Sequence, residues 1–176
     1  PEWLLNMGLR YDHFDTKYTT HTHDKKNVPQ TYKGADTSDF FTGQLGLVWK
    51  VAPNGSIYAS YATSATPPGS MLGEGAESNN LSGTPDRNGN LQDSDMKPEE
   101  TTNYEIGTKW DLLNDSLSLT AAIFRTEKEN TRVAVDADTF ENAGKTRVDG
   151  IELSATGKIT DQWQVFAGYT YLDAKQ

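Results

Sequence analysis

Val-Asp-Gly-Ile-Glu-Leu-Ser-Ala-Thr-Gly-Lys-Ile-Thr-Asp-Gln-Trp-Gln-Val-Phe-Ala-Gly-Tyr-Thr-Tyr-Leu, residues Val148 to Leu172, decides the fold. Its first arm sets Ile151, Leu153, Ala155 and Ile159 on one parity and Gly150, Glu152, Ser154, Thr156 and Lys158 on the other, the period-two pattern of a strand with one apolar face. Thr160, Asp161 and Gln162 form a short polar turn. Trp163, Val165, Ala167, Tyr169 and Tyr171 then resume the apolar parity, with Gln164, Gly168 and Thr170 opposite. The stretch is a long hairpin, and its apolar side must meet either a second sheet or lipid.

Working outward, the same alternation recurs. Trp3 to Asp12 places Leu5, Met7, Leu9 and Tyr11 on one face, and Asp39 to Val51 does so with Phe41, Leu45, Leu47, Trp49 and Val51. Ile57 to Ala65, Thr101 to Leu112 and Leu117 to Glu127 complete a count of seven strands, the last irregular because Phe124 sits on the polar parity and Arg125 ends the apolar row. Thr16 to Ser38, Thr66 to Pro98 and Lys128 to about Asn142 read as long polar connections, of which the last can extend its hairpin above the sheet. The turns at Ala52 to Ser56, Leu113 to Ser116 and Thr160 to Gln162 are short.

Long and short connections alternate, as they do between the two sides of an outer-membrane barrel. The four tryptophans, Trp3, Trp49, Trp110 and Trp163, lie toward the short-turn ends, and Tyr11, Tyr61, Tyr104, Tyr169 and Tyr171 toward the long-loop ends. Two aromatic rows bracketing aliphatic segments are what the two interfaces of a bilayer select. The fold class expected is therefore all-β, an antiparallel transmembrane β-barrel segment. Seven strands do not close a bacterial barrel, so the chain is expected to be part of a larger one.

Composition sets bounds. The chain has 176 residues, 35% hydrophobic, with a net charge of −9 and a mean hydropathy of −0.70. No apolar run is long enough for a membrane helix, a criterion that does not bear on barrel strands. The acidic balance argues against a nucleic-acid partner, which needs a basic face. Cysteine is absent, which removes thiolate metal sites, thiol nucleophiles and disulfides.

At this point the residues acquire a likeness. Lys97-Pro98-Glu99-Glu100-Thr101-Thr102-Asn103-Tyr104-Glu105-Ile106-Gly107-Thr108-Lys109-Trp110 resembles the "KPE…YEIGxK" strand of TonB-dependent siderophore receptors. Asn142 to Leu153 resembles their "NAG…GxEL" strand, and Ile57 to Ala62 their "lYaSYs" strand. The wording of Val148 to Asp173 looks closest to catecholate-type receptors. The resemblance covers nearly the whole chain and implies a barrel of about 22 strands around a plug. It also implies the bacterial outer membrane, a ferric siderophore as ligand, and energy from the TonB complex through a plug region that this stretch does not include. No cofactor is implied, since iron arrives already chelated; lipid and lipopolysaccharide are the surrounding partners. A passive porin or adhesin-like barrel and a soluble β-sandwich binding module are the alternatives.

A ferric siderophore is often anionic and aromatic, so cations and aromatic rings in the loops and upper lumen are its expected contacts. The candidates are Tyr18, Lys25, Lys26, Tyr32, Lys33, Arg87, Arg132 and Arg147, of which one or two are expected to touch ligand and the rest to be solvated. His21-Thr22-His23 puts two imidazoles on one side of an extended segment, but no third ligand is indicated and no metal site is expected. The loop carrying Glu74, Glu77, Asp86, Asp93 and Asp95 suits divalent cations at a lipopolysaccharide surface better than an anion. Glu105, Asp111 and Glu152 are expected to form lumenal ion pairs with Arg10, Lys109 and Lys158. With no nucleophile–base pattern, phosphate loop or metal-ligand spacing, no enzyme activity is expected.

Overall fold

The structure, a computed structural model, describes residues 2–23, 26–67, 97–136 and 139–176. Seven strands follow one another in chain order: β1 (Glu2–His23), β2 (Pro29–Ala52), β3 (Gly55–Thr66), β4 (Glu99–Leu112), β5 (Leu117–Asp136), β6 (Thr139–Thr160) and β7 (Trp163–Lys175). They form one antiparallel meander, each strand paired with its sequence neighbours. Seven strands with these faces match the expectation from the sequence.

Two strands run much further than their apolar alternation. β1 and β2 stay paired from Glu2–Lys50 to His23–Pro29, so most of Thr16 to Ser38 is ladder where a loop was expected. The segment lacks an apolar face, which hid it, but it is rich in Thr, Tyr and His, residues suited to a pleated backbone, and antiparallel pairing needs no burial. Asn27, at φ 62°, helps reverse the chain at the tip. β5 and β6 likewise pair as far as Asp136 and Thr139, with register shifts between Lys128 and Thr131 and again further out, the extension that the sequence suggested. The stretch Thr66 to Pro98 lies mostly outside the described residues.

The short turns knit the opposite end. Leu113, Asn114 and Asp115 take positive φ of 54°, 53° and 64°, and Ser116 closes the turn by donating its backbone N–H to the Leu113 carbonyl at 3.2 Å. Asn54 donates its side-chain amide to the Asp111 carbonyl at 3.0 Å while the Asp111 N–H bonds to the Asn54 carbonyl at 2.8 Å.

Among the described residues nothing resembling a soluble core forms. Among the described residues only Phe40 and Ala122 are buried hydrophobics, while Met7, Leu9, Ile106, Ile123 and Ile151 are exposed on one face. An apolar surface of this extent on one sheet has to be covered by something.

Candidate functional site

The apolar face carries its own measure of tilt. The row that starts at Trp3 passes through Trp49, Ile57, Thr108, Ala121 and Leu153 and arrives on β7 at Tyr169, six residues from Trp163. The row that starts at Tyr171 runs back through Ile151, Ile123, Ile106, Ala59 and Leu47 to Leu5, six residues from Tyr11. Both aromatic series are thus displaced in the same direction by the same amount over six strand-to-strand steps. One residue of rise (~3.3 Å) per inter-strand spacing (~4.8 Å) corresponds to a tilt of ~35°. That is the inclination of strands in outer-membrane barrels. Trp3 to Tyr11 then spans ~27 Å along the strand and ~22 Å along the normal, close to the apolar band of such barrels. Two parallel aromatic planes have no counterpart in a sandwich interior. The rings also support one another: Trp3 and Trp49 stack with centroids 5.2 Å apart, and Tyr61 meets Tyr104 at 5.3 Å.

The polar face is built from small residues, hydroxyls and a few large rings laid flat. Tyr58 lies across Gly107, where a Cβ would fall 2.4 Å from the ring, and Phe124 across Gly150, where it would fall 2.2 Å away. The irregularity that Phe124 gives the sequence is therefore a ring seated on a neighbouring strand's glycine. Near the long-loop end, Phe14 and Phe40 stack with centroids 5.4 Å apart and planes 15° apart. Arg10 lies below them on the same face, mostly exposed, its Nη2 2.7 Å from Asp12. This aromatic pair with its guanidinium is the most ligand-like grouping on the polar wall; the sequence carried it as Phe14 and Phe40 on the polar parity.

The expected lumenal ion pairs do not form. Arg10 takes Asp12, Lys158 takes Asp161 at 2.9 Å, and Asp111 accepts from Ser118. For Glu105 distance is the reason: Lys109 lies four residues further along β4, ~13 Å of rise, and Arg10 three strands away, ~14 Å across the sheet.

The remaining candidates scatter. Lys25 and Arg87 lie outside the described residues, as do Glu74, Glu77, Asp86, Asp93 and Asp95. Tyr18, Tyr32 and Arg132 have their backbones in β1, β2 and β5. Lys26 is exposed at the β1–β2 tip. Lys33, paired with Thr19, and Arg147, paired with Lys175, fall on the parity of the apolar face, so neither faces the polar wall. Arg147 places its Nε 3.3 Å from Asp149. His21 has Nδ1 3.1 Å from the Thr31 hydroxyl across the hairpin.

Just beyond Tyr11, the apolar-parity positions turn polar. Asp39 accepts from the Tyr11 hydroxyl at 2.8 Å and lies 2.5 Å from His13 Nδ1, and Thr37 donates to Asp15 at 2.9 Å. The hydrogen bond to Asp39, and then its charge, raise the His13 pKa above 6.5. The same bond, with that from Tyr11, lowers Asp39 below 3.8.

One sheet with a belted apolar face, a polar face and this tilt is the wall of a β-barrel. The family model described as "TonB dependent receptor-like, beta-barrel" matches residues 1–176, and the chain belongs to that family. It is 48% identical over 175 residues to the probable TonB-dependent siderophore receptor PiuA of Acinetobacter baumannii, covering 99% of this chain and 22% of that receptor. To the catecholate siderophore receptor Fiu of Escherichia coli it is 36% identical over 185 residues, covering 96% of this chain and 23% of Fiu. The crystal structure of PiuA superposes with a TM-score of 0.73 at 43% identity, over 98% of this chain and 23% of that one. The closed form of Fiu gives 0.74 at 34% identity, over 98% and 25%. The chain thus spans less than a quarter of the length of these two receptors.

Proposed function

We propose that this chain is part of the barrel wall and extracellular loops of an outer-membrane receptor that takes up ferric siderophore with energy from the TonB complex. The observation that carries the reading is the match of the whole chain to siderophore receptors, and the two-faced, tilted wall agrees with it. In this reading the short turns face the periplasm, the long hairpins face outward, and the polar face lines a lumen filled by a plug. The family favours gated uptake over a passive porin, and transport requires no catalysis by the wall.

The ligand proposed is a ferric chelate with aromatic, anionic arms. Phe14, backed by the buried Phe40, offers a stacking surface on the upper lumen, and Arg10 a guanidinium for a phenolate or carboxylate oxygen. Tyr18, Tyr32 and Arg132, carried by β1, β2 and β5, are the further contacts proposed from the hairpins above. The test is iron-limited growth of a receptor-deletion strain carrying the full-length gene and fed single siderophores. Growth restored by a catecholate chelate, and lost when TonB is removed, is the expected result; growth independent of TonB overturns the reading.

A further inference from the structure

The outer aromatic belt has a gap. On the apolar face it runs through Tyr11 and Phe41, then Tyr61 and Tyr104, and resumes on β7 at Tyr171. Between them, the β5 and β6 positions level with Tyr104 in the same pairing row are Arg125 and Asp149. The guanidinium binds the carboxylate through Nε at 2.5 Å and Nη2 at 3.2 Å, and Arg147 approaches the same carboxylate at 3.3 Å. Two guanidiniums thus share one carboxylate, each by its Nε edge. An arginine has five N–H donors in a fork, so both keep donors for a second acceptor.

Directly below the gap the face is hollow. A depression of about 660 Å³ is floored by Ile106, Ile123 and Ile151 and walled by Tyr104 and Tyr171. A second, of about 520 Å³, continues toward the short-turn end over Ala121, Ala155 and Ala167 beside Trp110 and Tyr169. The next residues along β4, β5 and β6 join the two, since Ile106, Ile123 and Ile151 are followed on this parity by Thr108, Ala121 and Leu153. Two shallow apolar depressions in line along the strands, the upper one bordered by the Arg125 guanidinium, match an acyl chain with a phosphate at its head.

We propose that the gap between Tyr104 and Tyr171 is a seat for one phosphorylated glycolipid of the surrounding outer leaflet. Its phosphate takes Arg125 and Arg147, and one acyl chain lies over Ile123 and Ile151. Glu127 and Asp173, the acidic groups at the rim of the hollow, face a divalent cation bound to that phosphate, as carboxylates and phosphates share such ions. Lys175 is held by Asp173 at 3.1 Å and flanks the seat. The proposal rests on the outer-membrane reading above.

The test uses the full-length receptor in nanodiscs of phosphatidylethanolamine containing a trace of lipid A, with bound glycolipid counted by native mass spectrometry. Arg125→Gln with Arg147→Gln is expected to lose about tenfold or more of the retained lipid A, the order of one charge-assisted hydrogen bond. Asp149→Asn, which releases both guanidiniums, is expected to retain as much or more, whereas a merely structural ion pair would make it behave like the arginine variants. Arg10→Gln, on the opposite face, serves as the control. Retention unchanged in the double arginine variant, an equal loss in Arg10→Gln or in Asp149→Asn, or equal competition by phosphatidylglycerol would each overturn the seat. Failure of the receptor to fractionate with the outer membrane would instead overturn the underlying reading.

Discussion

Replacing Met7 by arginine separates lipid from water as the medium around the apolar face. Met7 is 72% exposed and sits midway between Trp3 and Tyr11, four residues from each. If the face meets hydrocarbon, Met7→Arg puts a cation near the midplane and costs ~2–4 kcal/mol. If the face meets water, the same change at so exposed a position stays within ~0.5 kcal/mol. Its neighbour Asn6 is the internal control, since it points to the polar face and accepts a hydrogen bond from Gln44 at 3.4 Å; there arginine is expected to cost under ~1 kcal/mol, a lost weak hydrogen bond. The assay is urea titration of the full-length receptor folded into phospholipid vesicles, followed by tryptophan fluorescence. Equal costs at Met7 and Asn6, or a neutral Met7→Arg, would refute the assignment of the two faces.

Gly150→Ala is expected to destabilise by ~1–3 kcal/mol through overpacking, because the new Cβ would stand 2.2 Å from the Phe124 ring; adding Phe124→Ala should recover most of that loss in a double-mutant cycle in the same titration. His13, resolved by ¹³C-histidine NMR, is expected to titrate above 6.5 and to fall back toward it in Asp39→Asn. The raised His13 value makes its contribution full below pH 6.5 and lost as pH rises through the folded value. The lowered Asp39 value makes its own contribution present above 3.8 and lost as pH falls through the folded value, so the pair holds between these limits. Phe14→Ala should weaken siderophore binding by about twofold to tenfold if one chelate ring stacks there, at ~0.5–1.5 kcal/mol; unchanged binding measured by fluorescence quenching would remove this ring from the ligand surface.

The hairpin of β6 and β7 was legible because one face is apolar at every second residue from Ile151 to Tyr171, and a one-residue slip would invert it. The same parity identified both aromatic series. What parity cannot supply is height: it tells which face Arg125 occupies, but only pairing with Tyr104 and Asp149 sets it level with the belt. Glu105 and Lys109 likewise share a face yet stand two rows apart, whereas Asp111, one row from Lys109, is taken by Ser118. The upper part of β1 and β2 was hidden by the absence of any apolar side. Phe14 and Phe40 are legible in the sequence as the two phenylalanines on the polar parity of β1 and β2.

The steady lean of the aromatic rows also bears on how such a gene can change. Losing one residue within a strand would turn every later side chain of that strand to the wrong face, and losing two would keep the faces but drop its belt residue a full row relative to its neighbours. Insertions at the outer hairpins carry neither penalty. Length variation among descendants of this sequence is therefore expected to collect at the long hairpin ends, while the intervals from Trp3 to Tyr11 and from Trp163 to Tyr171 are inherited intact.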